Sequence, residues 1–126
     1  MIFVDNFADK LENIIIRAYK EILKKNNLQK IPGKTLNSYS YRKIAVEVTI
    51  ARDEGLEKKL SCLEIANTII HKVLFKNYFV HYNNEMAVLI GYIFLTMHGI
   101  EINHYSVDAI TNDSTLEEIR ALTATW

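Results

Sequence analysis

Residues 76–87, KNYFVHYNNEMA, set Asn77, His81, Asn83 and Glu85 around Phe79. His81 and Glu85 are four apart, so at a helix start they would face the same way, and with His71 they could offer ligands to Zn²⁺ if the three converged. No cysteine pair and no further ligand at motif spacing joins them, so solvated side chains and no bound metal are expected. Cys62 opens a helical stretch, where a thiol's pKa can fall, but no histidine near it in sequence can act as its base, and it reads as structural. His98 and His104 flank Gly99, where an imidazolium at a helix C-terminus is favoured by the helix dipole. Tyr39, Tyr41, Tyr78 and Tyr82 supply rigid contact area for protein recognition if the two segments meet; otherwise they pad the rim of the core.

The elements that must position these residues are mostly helical. Over residues 5–25 the apolar Phe7, Leu11, Ile14, Ile15, Ala18 and Ile22 recur at steps of four, three, one, three and four, which predicts a helix capped by Asp5 or Asn6 and ending near Asn26. Residues 41–51 are ambiguous. Ile44, Val46, Val48 and Ile50 alternate with Ala45, Glu47 and Thr49 as in a strand, yet Ile44, Val48 and Ala51 also share one helical face. Helix and a short strand or hairpin both stay open there. A further helix from Ser61, its cap, to about Lys76 would turn Leu63, Ala66, Ile69, Ile70, Val73 and Leu74 inward. Residues 85–98 are apolar nearly all round and predict a central helix stopped by Gly99, with Ile90, Ile93, Phe94 and Met97 among the most buried residues. Ser114 and Thr115 ahead of Glu117 and Glu118 approximate a capping box, so a closing helix with Leu116, Ile119, Leu122 and Trp126 facing inward is expected.

The chain has 126 residues, enough for one hydrophobic core, and a single domain over 1–126 is expected. Its 15 basic and 15 acidic residues balance, which gives no global field toward nucleic acid or an anionic membrane. The single cysteine cannot form an internal disulfide, and no leader pattern opens the sequence, so a cytoplasmic, reduced setting is expected. The longest apolar run, MAVLIGYIFLTM, has twelve residues where a membrane span needs about 20.

The stretch EIANTIIHKVLFK, NYFVHYNNEMA and VLIGYIFLTMHGIEI resembles the core of the Fic/Doc (Fido) family, its small Doc branch in particular. There a helix leads into HPFVDGNKRTA or a close variant, and then into an apolar helix ending in a phrase such as FLELNGYEL. The likeness spans about residues 64–102, and the tail TLEEIRALTATW is similar to the closing helix of Doc-type proteins. Aligned without a gap, Phe79, Val80, Asn83 and Ala87 match the family's scaffold. The chemical positions do not match. Asn77 stands at the catalytic histidine and Tyr78 at the proline, and an amide has no pKa near neutrality with which to act as a general base. His81 stands at the acidic residue that holds Mg²⁺, an ion that prefers oxygen. Tyr82 replaces the glycine that lets the backbone wrap phosphates, and Glu85 replaces the arginine that grips one.

The resemblance therefore implies a mainly α, single-domain helical bundle of Fic/Doc type with a degenerate site. Such a domain would use no cofactor and would act by binding another protein, in a toxin–antitoxin, mobile-element or effector setting. The alternative it implies is an active Doc-like transferase that modifies a protein hydroxyl through a rearranged site, with His81 in place of the lost base.

Overall fold

A computed structural model describes residues 6–25 and 35–100, and four helices make up its framework: α1 (Phe7–Lys25), α2 (Tyr41–Glu57), α3 (Cys62–Lys76) and α4 (Asn83–Met97). Their buried side chains form one continuous cluster. No strand forms among the described residues, where the β pairing is an isolated antiparallel bridge between Leu36 and Phe79. The closing helix expected over residues 114–126, and His104, lie outside the described residues.

In α1 the predicted stripe is the buried one: Phe7, Leu11, Ile14, Ile15, Ala18 and Ile22 all face the core, joined by Tyr19 and Leu23. Asn6 precedes the helix in a left-handed conformation (φ 55°), and its carbonyl accepts the Lys10 N–H at 3.0 Å.

Residues 41–51 form a helix, and the strand alternative is not the one realised. Ser40 takes an extended conformation and its hydroxyl accepts the Lys43 N–H at 3.0 Å, satisfying one of the free donors of the first turn. The buried residues Ile44, Ala45, Val48, Ala51 and Gly55 then follow a helical spacing, while Ile50, inward in the strand reading, is exposed. Gly55 allows the close approach of α3, since a Cβ there would lie 2.6 Å from Ile65 Cγ1.

Ser61 starts α3 as the sequence suggests, within a complete capping box: its hydroxyl accepts the Glu64 N–H at 3.2 Å and Glu64 Oε1 accepts the Ser61 N–H at 3.2 Å. The inward face is narrower than expected. Ile65, Ala66, Ile69 and Val73 are buried and Ile70 partly so, but Leu63 is 64% and Leu74 37% exposed. These two leucines sit about 100° around the helix from the centre of the buried arc, beyond what α2 and α4 cover.

α4 is enclosed, with every residue over 86–95 buried, Ile90, Ile93 and Phe94 included. Met97 is only partly buried, a correction to its expected place among the most buried residues. After His98, Gly99 adopts φ 74°; its N–H reaches the Thr96 carbonyl and the Ile100 N–H the Leu95 carbonyl, at 3.1 and 2.9 Å. This is the glycine-dependent helix stop read from the sequence.

Six residues, 77–82, link α3 to α4, and the two helices pack antiparallel. At their contact a Cβ on Gly91 would lie 2.6 Å from Ile70 Cγ1 and 3.3 Å from the Ala66 carbonyl oxygen. None of the helices formed by described residues is long and apolar enough to cross a membrane.

Candidate functional site

The candidate site is the loop between α3 and α4. Asn77 ends α3 in the left-handed region (φ 51°, ψ 54°), which asparagine tolerates better than most residues. Its N–H donates to the Val73 carbonyl at 2.9 Å, its carbonyl accepts from Asn37 Nδ2 at 2.8 Å, and the residue is exposed. Two residues on, the chain turns inward. Phe79 is fully buried, its ring 4.7 Å from that of Tyr19.

Asn83, the first residue of α4, stitches the loop closed. Its Oδ1 accepts the Phe79 N–H at 3.1 Å and its Nδ2 donates to the Val73 carbonyl at 3.2 Å, so one side chain joins the loop to the last turn of α3. A second brace comes from before α2. The Asn37 N–H donates to the Tyr78 carbonyl at 2.8 Å and the Val80 N–H to the Thr35 carbonyl at 2.9 Å, across the Leu36–Phe79 bridge. The third brace is Tyr19, whose hydroxyl lies 3.1 Å from both the Thr35 and His81 carbonyls and accepts the His81 N–H at 3.3 Å. Burial raises the Tyr19 phenol pKa, so it stays a neutral donor.

Tyr82 enters α4 with φ 59° and makes no side-chain cap hydrogen bond. A bulky residue there occupies backbone space that favours glycine. Glu85 lies in the first turn of α4, half-buried, where a carboxylate complements the positive end of the helix dipole.

Of the four tyrosines expected to form a recognition surface, Tyr78 is not at the surface: it is fully buried. Its hydroxyl donates to Glu47 Oε1 at 3.1 Å, and Tyr39 packs edge-on against its ring at 4.7 Å. Burial first, then the neighbouring Glu47 charge, raises the Tyr78 phenol well above the ordinary range. Tyr39, Tyr41 and Tyr82 are partly buried against the core, and the segment before α2 passes beside the loop through the Leu36–Phe79 bridge. Lys76 Nζ stands 3.9 Å from Glu47 Oε1, and Glu47 Oε2 is buried with no hydrogen-bond partner.

The remaining candidates are dispersed. His71 is exposed on α3, His81 is half-buried in the loop and Cys62 is a half-buried free thiol; no group of three metal-ligating side chains comes together among the described residues. His98 departs from expectation. It is 2% exposed, with Nδ1 2.8 Å from the Phe94 carbonyl and its ring against Phe7 and Phe94. Burial lowers its pKa and outweighs the Phe94 carbonyl, which by itself favours the imidazolium.

Four participants escape sequence reading. Tyr19 falls on the α1 stripe one turn after Ile15 and reads as core; Glu47 sits inside an apolar alternation; and Thr35 and Leu36 carry no pattern at all. Only the helical reading of residues 41–51 turns Glu47 toward the α3 side. Chemically, the loop presents backbone groups already bonded to one another, an exposed amide at Asn77 and a carboxylate at Glu85. Comparison of the chain with protein-family models, curated proteins and solved structures found no match.

Proposed function

We propose that this chain is a Fic/Doc-like domain whose chemistry has been lost and which acts by binding another protein in the cytoplasm, in a toxin–antitoxin, mobile-element or effector setting. The observation that carries this reading is the division of labour within the loop. Phe79 and Asn83, the residues matching the family's scaffold, are the anchor and the stitch of the loop. Tyr82, at the family's glycine, still has a backbone of the kind glycine prefers. The positions that would bear the chemistry hold Asn77, without a titratable group, and Glu85, whose charge repels phosphate from the start of α4.

Binding is favoured by what the same helix exposes. Phe75, in the last turn of α3, is 87% exposed, and Val80 in the loop is 42% exposed. A protruding aromatic side chain flanked in sequence by Leu74 and Lys76 is the kind of anchor that a protein interface buries.

Labelled ATP, GTP or UTP with Mg²⁺, added to cell extract with the protein, is expected to label no protein. Calorimetry with millimolar nucleotide is expected to be silent. Labelling that depends on the wild-type chain, or clear nucleotide binding, would overturn the reading in favour of a working transferase.

A further inference from the structure

The outward rim of α3 beside α4 carries an apolar stripe with no described partner. Leu63, Ile70 and Leu74, at i, i+7 and i+11, lie within a narrow arc of the helix. Leu63 and Leu74 are exposed, and Ile70 reaches α4 at Gly91 while staying partly open. Asn67 lies between them, so the rim is uncharged along its length.

We propose that this rim is the docking site for residues 114–126 of the same chain. Three observations select this occupant. First, α4 runs antiparallel to α3, so the chain leaving Ile100 starts near the Leu63 end of the rim. The 15 residues from 101 to 115 span at most about 50 Å, ample for a stripe about 16 Å long between Leu63 and Leu74. Second, the segment brings a matching stripe. Leu116, Ile119, Leu122 and Trp126 recur at helical spacing over about 15 Å, while Glu117, Glu118 and Arg120 fall between them. Third, three aliphatic side chains are far short of the roughly 800 Å² per partner of a standard interface between separate molecules, whereas a tethered segment docks at high effective concentration. Phe75 points to a different side of α3 and is left free by this docking.

A photo-crosslinking benzophenone residue placed at position 74 of the full-length chain tests the proposal. At dilute concentration it is expected to join residues 114–126 of the same molecule, and the crosslink is expected to vanish when Leu116→Ser and Leu122→Ser are added. Amide exchange gives an independent readout. Leu63→Ser with Leu74→Ser is expected to speed exchange across residues 116–126 at least tenfold, about 1.4 kcal/mol of lost protection, while Phe75→Ser leaves it unchanged. A crosslink between two molecules, no crosslink into this segment, or exchange that ignores the rim would overturn it.

Discussion

The two ends of the α3–α4 hairpin are built on different physics. At the loop end, shape is set by single polar atoms: the Asn83 carboxamide, the Tyr19 hydroxyl, the bridge to residues 35–37, and Tyr78 on Glu47. At the open end it is set by packed rings. Phe7 meets Phe94 edge-on at 6.3 Å and His98 at 5.3 Å, and the Arg52 guanidinium lies over Phe7, 4.4 Å from its centroid. Burial of apolar surface is non-directional and tolerates small shifts, whereas a buried polar stitch fixes one geometry and is costly to leave half-made. The loop is therefore the more precisely specified of the two ends.

The largest expected effect lies at the open end. Phe94→Ala should cost about 3–5 kcal/mol in denaturant unfolding, by leaving a cavity where Phe7 and His98 meet. Such a loss should destabilise the fold without altering the hydrogen bonds that shape the loop. If the cost is below about 1 kcal/mol, the contrast between the two ends collapses.

Asn83→Ala comes next, at about 2–3 kcal/mol, because the buried Phe79 N–H loses its acceptor and nothing in the loop replaces it. Amide exchange at Phe79 should rise together with the loss of stability. Tyr78→Phe should cost about 1–3 kcal/mol, since it leaves the Glu47 carboxylate with no hydrogen-bond donor on either oxygen. A neutral result there would mean that Glu47 is served by solvent or by Lys76.

The smallest effect is a pH dependence at the open end. The folded-state pKa of His98 is lowered from its ordinary 6.5, so the unfolded chain takes up its proton first. Stability should be fully present above about pH 6.5 and fall as the pH drops below it, with a slope under about 1.4 kcal/mol per pH unit. His98→Gln should remove that slope, and an unchanged profile would show that another group sets it.

The sequence makes one of these ends easier to read than the other. The stripes of α1 and α4, the Ser61 cap and the Gly99 stop are periodic or local features, each fixed by a few neighbouring residues, and the structure has them where expected. The polar end depends on groups far apart in the chain: Tyr19 with His81, Glu47 with Tyr78, Leu36 with Phe79. Such pairs leave no spacing to recognise, so Tyr78 reads as a candidate surface tyrosine and Glu47 only as one step of an alternation. Residues 41–51 fall between these cases. Their alternation suits both periods, and the Ser40 cap together with the helical burial of Ile44, Ala45, Val48 and Ala51 separates them.

The two glycine contacts of α3 bear on how this loop could ever move. Ile65 sits in the notch left by Gly55 of α2, and Ile70 in the notch left by Gly91 of α4. These act as detents on two sides of one helix, at two heights. Sliding α3 along its axis would drive both side chains out of their notches at once and into neighbouring turns. The loop that hangs from α3 is thus indexed to α2 and α4 together. Any change in the surface around the loop has to come from rotation of exposed side chains such as Val80 or Phe75, because translation of the helix beneath them is blocked.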